Sequence, residues 1–430
     1  MTPTRSSLVD DLLARGLVQD STDLAALRKR LEAGRIVVYC GFDPTSDSLH
    51  AGNLLMLLNL RRFQEAGHLP IALAGGATGM IGDPSGRSEE RNLLDDDQLA
   101  ANLEGIVPQL RRFLRFDGAA NSALLVDNRS WTVATSVIAF LRDVGKHVTV
   151  NQMLGKESVR SRLQSASGIS YTEFSYMLLQ ANDYFELHRL HGCELQIGGS
   201  DQWGNIAAGV DLIRRRAAQH VHGLTSPLLV RSDGTKYGKS ATGDNLWLSA
   251  ARMSPYRFYQ AWIGVPDQDV RKLLLQLTLL SVSEVEDVVA DHGLAPERRA
   301  AQRRLAWELT RLVHGADQAD AAEEASAVLF SGADPFQVTP ASWAVLEAEI
   351  PLGRCSRERL ARGVVPAELF AELGWAQSRS AARRLLEQGG WQINGRRLLA
   401  EETLRTESLL VGRYVLVRRG KNHFHLLVVS

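Results

Sequence analysis

The chain has 430 residues, 45% of them hydrophobic, with 49 Lys or Arg balanced by 49 Asp or Glu. That length and composition exclude a small binding module, a disordered tail and a fibrous protein, and they predict about three domains with a sizeable core. A net charge of zero removes strong global steering, so any nucleic-acid surface has to come from local charge. Cys40, Cys193 and Cys355 are far apart and form no CxxC pair, which fits a reducing compartment and neither a zinc site nor a redox dithiol. There is no signal-peptide run and no stretch of about 18 apolar residues, so a cytoplasmic location without a membrane partner is expected.

Residues 36–43, IVVYCGFD, read as a central parallel strand, because an unbroken β-branched run suits a strand covered on both faces. Leucines at helical spacing from His50 to Ala66 end at Gly67, and PIALAGG from Pro70 reads as the next strand, which completes a βαβ unit. ALLVDN from Ala123 and CELQIGG from Cys193 are further strand candidates, with helical patterns near 97–115, 132–144 and 172–190. This alternation predicts a doubly wound α/β domain over residues 1–226. Residues 227–253 connect it to residues 254–330, where leucine- and alanine-rich helical segments predict an all-α domain. SGADPFQVTPAS from Ser331 is rich in small residues and proline, so 331–360 reads as a linker region. From Ala376 to Ser430 ten Arg or Lys face four Glu, a net +6, which marks a small basic domain over 361–430.

In an open α/β sheet, ligands bind outside the carboxyl ends of the strands, beside helix N-termini that favour phosphate. The first such loop, Gly41 to His50, offers Asp43, Thr45 and His50; His50 equally suits a plain helix cap, with Gly52 permitting close packing. Residues 234–240, GTKYGKS, are no P-loop, because Asp233 stands where the first glycine is required. Lys236 and Lys239 suit a clamp on a polyphosphate, and equally a solvated turn. On the helix near 171–190, Phe174, Leu178, Ala181 and Phe185 make an apolar stripe, while Tyr176, Gln180 and Asp183 line up about 200° away. Such a polar stripe is either solvated surface or the wall of a pocket for a small zwitterion. GGATGMIGDPSGR from Gly75, VDNRSW from Val126 and IGGSDQWGN from Ile197 follow strand candidates, placing Asp83, Asn128 and Asp201 where either ligand binding or helix capping would use them.

Together these stretches resemble the bacterial tyrosyl-tRNA synthetases, a family of class I aminoacyl-tRNA synthetases. YCGFDPTSDSLHAGN at Tyr39, GGATGMIGDPSGR at Gly75, VDNRSW at Val126, YTEFSYMLLQANDY at Tyr171, IGGSDQWGN at Ile197 and KYGKS at Lys236 occur in the family's order and spacing, and the match covers essentially the whole chain. SRSAARRLLEQGGWQINGRR from Ser378 and VGRYVLVRRGK from Val411 are similar to the S4-type RNA-binding domain that ends these enzymes. The resemblance implies a Rossmann-like catalytic domain, an all-α domain on the anticodon side and an S4-like α+β domain.

It further implies that L-tyrosine attacks the α-phosphate of ATP to give tyrosyl-adenylate and pyrophosphate, and that the tyrosyl group then passes to the 3′ end of tRNA(Tyr). No covalent enzyme intermediate and no general base are needed, since the carboxylate is already ionised; positioning and charge stabilisation carry the reaction. Carried over by motif position, Tyr39 and Asp183 would bind the substrate phenol, Asp83, Tyr176 and Gln180 its ammonium group, and Gln202 would lie near the reacting carboxylate. Cys40, Gly41, Asp43, Gly52, Gly199 and Asp201 would hold ATP, with Thr45 and His50 toward its γ-phosphate. Lys236, Lys239 and Ser240 would close over the pyrophosphate, and Arg87 and Arg91 would add contacts from another loop. Magnesium is expected with ATP, and no structural metal; a homodimer is expected, with tRNA contacts from Arg214, Arg215 and Arg216 and from Arg379, Arg383, Arg384, Arg418 and Arg419. The first signature reads His50-Ala51-Gly52-Asn53, where Asn53 can donate to adenine or ribose but carries no charge, and Arg87 stands where lysine is frequent. Two rivals share these features: a tryptophanyl synthetase, which the Tyr39 and Asp183 pair disfavours because indole offers one donor only, and a non-catalytic RNA-binding protein, which would be free to lose His50, Asp201, Lys236 and Lys239.

Overall fold

A computed structural model describes residues 7–85, 93–164, 168–235, 237 and 245–430. Unit 1 comprises residues up to Ser254 together with Ile263–Leu305; unit 2 comprises Pro255–Trp262 and Ala306–Ser430.

Unit 1 is built on six strands: β1 (Asp20–Ser21), β2 (Val37–Phe42), β3 (Leu69–Ala74), β4 (Leu124–Asp127), β5 (Cys193–Gly199) and β6 (His222–Ser226), in the order β1-β6-β5-β2-β3-β4. Every pairing is parallel except that of β1 with β6. The four strands expected from sequence are all present, and the central ones are buried as their apolar runs require. β6, HGLTS, is not evident from the sequence because a glycine and two hydroxyl residues hide its strand character; Gly223 is needed there, since a Cβ would lie 2.5 Å from Ile206. Helix α1 (Ala51–Glu65) follows β2, α2 (Asp96–Phe113) precedes β4, α3 (Tyr171–His191) precedes β5 and α4 (Trp203–Ala217) follows it. Gly192 ends α3 in the left-handed conformation (φ 64°) that glycine adopts without strain.

The compact units also part at Ser254, but Ile263–Leu305 returns to unit 1 and unit 2 runs on through 330. The helices from Pro255 to Phe330 are present, but Asp267–Leu277 and its surroundings belong to unit 1. The reason is polar: buried Arg15 donates to the carbonyls of Leu275 and Leu280, and buried Arg62 donates to those of Gln276 and Thr278. Two guanidinium groups thus satisfy carbonyls at a helix C-terminus that would otherwise be orphaned.

The 331–360 linker region is structured. It carries a helix, Pro340–Glu349, and a strand, β7 (Leu352–Cys355). Its small residues and prolines act as helix punctuation: Thr339 is the N-cap of a helix with Pro340 at its first position, and Asp334 accepts the amide of Phe336. β7 joins β8 (Trp391–Ile393), β9 (Arg396–Arg397), β10 (Tyr414–Arg419) and β11 (His423–Val429) in a sheet ordered β7-β11-β10-β8-β9. Its core includes Trp375, Trp391, Phe370 and Leu427. Among the described residues no helix is long and apolar enough to cross a membrane.

Candidate active site

Strand order reverses between β2 and β5: the chain runs outward through β3 and β4 on one side and through β6 on the other. At such a switch point the loops diverge and leave a crevice. A cavity of about 1330 Å³ opens there, lined by Tyr39, Asp43, His50, Asp83, Asp183 and Gln202 among others. The sequence-predicted residues Cys40, Gly41, Thr45, Gly52, Asn53, Tyr176, Gln180, Gly199 and Asp201 share the same walls.

At one end both oxygens of Asp183 are already engaged. Asn128 Nδ2 donates to Oδ2 at 2.9 Å and Trp131 Nε1 donates to Oδ1 at 2.8 Å. Burial raises the Asp183 carboxyl to about pKa 7, against the pull of these two donors. The Tyr39 hydroxyl, on a side chain only 1% exposed, has no hydrogen-bond partner among the described residues, and burial together with the Asp183 charge pushes its pKa well up. A buried hydroxyl without a partner is costly and points to a ligand group that completes it. The polar stripe is therefore no solvated surface: Tyr176 and Asp183 are as buried as the apolar stripe beside them.

A second group of polar side chains lies along the floor. Asp83 Oδ1 accepts the amide of Ser85 at 2.9 Å, and Oδ2 accepts Gln202 Nε2 at 2.7 Å. The Tyr176 hydroxyl donates to Asp43 Oδ2 at 2.7 Å, and Thr78 donates to Asp43 Oδ1 at 2.7 Å. Asp43, expected among the ATP contacts, is thereby built into the wall on the Tyr176 side. Gln180 Oε1 and Gln196 Oε1 are buried without partners among the described residues. Sequence reasoning does not reach Gln196, Trp131 or Lys156; Gln196 stands at an alternating position inside a strand, where no motif flags it.

At the other end His50 and Asn53 form a capping box at the start of α1: His50 Nδ1 accepts the amide of Gly52 at 3.0 Å, and Asn53 Oδ1 accepts the amide of His50 at 3.1 Å. A Cβ on Gly52 would sit 2.8 Å from the His50 ring, so glycine there lets the imidazole lie over the helix N-terminus. The capping reading of HAGN is thus realised, and it leaves the Asn53 NH₂ to donate elsewhere. The segment after KYGKS pairs with this loop: Ala51 N donates to Leu246 O, and Leu248 N to Leu49 O, with Trp247 opposite His50. Tyr237 donates its hydroxyl to buried Asp269 at 2.6 Å. Cys40 lines the cavity, and burial pushes its thiol up to about pKa 12, which favours the neutral form. Arg87, Arg91, Lys236, Lys239 and Ser240 lie outside the described residues.

The basic residues expected to meet tRNA are partly engaged. Arg214 and Arg215 pair with Asp211, and Arg216 lies over the Phe185 ring at 3.9 Å. Arg379 and Arg383 are exposed with loose acidic partners at 3.4 and 3.5 Å, and Arg384 is exposed. Arg419 donates to the carbonyl of Trp375 and Arg418 to that of Gly420.

Residues 31–331 match the family model for tRNA synthetases class I (W and Y), and residues 359–427 match that for the tyrosine-tRNA ligase SYY-like C-terminal domain. The chain belongs to the class I tRNA synthetases (W and Y). Within that class it falls among the tyrosine-tRNA ligases: that of Opitutus terrae is 51% identical over 98% of this chain and all of its own length, and that of Roseiflexus castenholzii is 48% identical over 98% and 99%. A C-terminally truncated mitochondrial tyrosyl-tRNA synthetase from Aspergillus nidulans superposes with a TM-score of 0.68 at 30% identity, over 75% of this chain and 94% of its own.

Proposed function

We propose that this chain activates L-tyrosine with ATP and transfers it to the 3′ end of tRNA(Tyr). The family includes enzymes for tryptophan as well as tyrosine, so the amino acid has to be argued from the pocket. One observation carries it: the buried, partnerless Tyr39 hydroxyl lies beside Asp183, whose oxygens are held as acceptors by Asn128 and Trp131. A substrate phenol can donate to Asp183 and accept from Tyr39 at once. An indole N–H has no acceptor to offer. Rejection of phenylalanine follows from the same groups, because a substrate without the hydroxyl leaves them unpaired; the scale of such discrimination, about 10⁵, is one already established on a tyrosyl synthetase.

On this reading Asp83, Tyr176 and Gln180 take the ammonium group, and Gln202 lies toward the carboxylate. The carboxylate oxygen attacks the α-phosphorus and the bond to the β-phosphate breaks, with pyrophosphate leaving; the terminal ribose hydroxyl of tRNA then attacks the tyrosyl carbonyl and AMP leaves. Thr45, His50, Asn53, Gly52, Gly199 and Asp201 serve the nucleotide, beside the start of α1, whose positive dipole end favours phosphate. Lys236, Lys239, Ser240, Arg87 and Arg91 are assigned to the phosphates by motif position, and magnesium enters as the counter-ion of ATP. Arg379, Arg383 and Arg384 are candidates for tRNA phosphate contacts, and residues 361–430 are read as an RNA-binding domain.

The same reading includes a homodimer in the cytoplasm. Its support is a helix, Val137–Asp143, with no buried residue although Val137 and Ile138 are 73% and 74% exposed and Leu141 is exposed beside them. The experiment for the activity is exchange between pyrophosphate and ATP with tyrosine, phenylalanine or tryptophan. Exchange with tyrosine alone is expected; its absence in folded protein turns the reading toward a non-catalytic RNA-binding chain.

A further inference from the structure

Lys156 precedes the short helix Glu157–Leu163 and reaches into unit 1 from outside every motif named above. Its Nζ donates to Asn205 Oδ1 at 2.6 Å; Asn205 Nδ2 donates to Gln202 Oε1 at 3.0 Å; Gln202 Nε2 donates to Asp83 Oδ2 at 2.7 Å. The chain of contacts has a donor-only group at one end and an acceptor-only group at the other. Each amide between them can turn either way in isolation, but the ammonium accepts no hydrogen bond and so holds Asn205 with its oxygen toward Lys156. Asn205 must then offer NH₂ to Gln202, and Gln202 must offer NH₂ to Asp83.

Two neighbours show that the lysine is seated rather than passing. A Cβ on Gly204 would lie 3.0 Å from Lys156 Cγ and 3.3 Å from Cδ and Cε, so the methylene stem lies over the first turn of α4 where that residue has no side chain. The far end of its helix is tied down as well: Arg162 and Glu173, each 1% exposed, pair at 2.9 Å and join that helix to the first turn of α3. Asn205 is fully buried, so no water competes for its amide.

We infer that Lys156 is a positioning residue for the amino-acid pocket: from the donor end, as Asp83 does from the acceptor end, it locks the sense of the Asn205 and Gln202 amides, so that Gln202 presents donors to Asp83 and toward the substrate carboxylate. The inference rests on the tyrosine-activating reading and adds to it a determinant of amino-acid affinity that acts without touching the substrate.

The test uses the full chain in tRNA-independent pyrophosphate exchange, which separates this role from any contact Lys156 makes with RNA. Lys156→Met removes the donor, and KM for tyrosine is expected to rise about tenfold, the scale of one lost charge-assisted hydrogen bond, with KM for ATP within about twofold. Lys156→Arg retains the donor and restores most of the affinity. Asn205→Asp is the decisive second variant: it keeps the shape and strengthens the pair with Lys156, yet removes the donor to Gln202, so KM for tyrosine rises while kcat and KM for ATP hold. A purely structural lysine predicts the opposite, a neutral Asn205→Asp. Unchanged KM for tyrosine in Lys156→Met and Asn205→Asp overturns the inference, as does a parallel loss in kcat and both KM values. No tyrosine-dependent exchange in the parent chain overturns the activation reading itself, and this inference with it.

Discussion

The indole N–H of Trp131 donates to Asp183 Oδ1 at 2.8 Å inside unit 1. A carboxylate that receives an N–H on each oxygen is fixed as an acceptor, and it is held in place by side chains from the segment that follows β4. On the proposed reading, recognition of the substrate phenol depends on residues that need not touch it.

Asp183→Ala removes that acceptor and should abolish the preference for tyrosine over phenylalanine while the ATP loops stay intact. Trp131→Phe removes only one donor and should weaken tyrosine binding by a smaller factor, about 1 kcal/mol or fivefold. Amino-acid-dependent exchange with both substrates checks both variants. An unchanged tyrosine to phenylalanine ratio in Asp183→Ala would refute the assignment.

The Asp183 carboxyl also sets a pH dependence. Burial raises it from 3.8 to about 7, so the folded protein keeps a proton there that the unfolded chain has lost. Its contribution to stability is complete below about pH 4 and is lost as pH rises through about 7. On the proposed reading tyrosine binding uses the ionised acceptor and runs the other way: KM should fall about tenfold from pH 6 to pH 8. Measured KM for tyrosine across that range, with Asp183→Asn showing no such slope, tests the sign.

Gly105, on α2, lies against the backbone of Asp47; a Cβ there would stand 2.1 Å from the Asp47 carbonyl oxygen. Gly105→Ala must displace the loop that carries Thr45 and His50, at a cost of roughly 1–3 kcal/mol. A lower melting temperature together with a raised KM for ATP is expected. An unaltered KM for ATP would separate that loop from the nucleotide.

Arg62 is fully buried, and burial lowers its guanidinium to about pKa 9 while it serves the carbonyls of Gln276 and Thr278. Arg62→Leu leaves those carbonyls unsatisfied and should cost about 2–4 kcal/mol in denaturant unfolding.

Neutralising Arg383 and Arg384 together should raise KM for tRNA in aminoacylation and flatten its salt dependence by about one unit of slope per lost phosphate contact. Aminoacylation across a series of salt concentrations measures both quantities.

The sheet is legible in the sequence where apolar runs are long, as in β2, β3 and β5, and the pocket is legible where loops are glycine-rich and polar. Tyr176 and Asp183 stand out as a stripe, but a stripe on one helix does not say what covers it; α3 lies between the pocket and the core, so both of its faces are buried. Trp131 and Lys156 act through partners 52 and 49 residues distant in sequence, and no local spacing announces such pairs. The 331–360 segment misleads for a different reason: helix caps and linkers draw on the same small residues and prolines.

The register of the second sheet bears on synthesis. β11 lies between β7 and β10, and its parallel pairing sets Leu352 against Leu426. A nascent chain that has already extruded β7, β8 and β10 still lacks the strand that joins the first to the rest. The sheet therefore closes only once residues 423–429 are free to pair, and until then β7 and β10 each keep an open edge that chaperones or proteases can find.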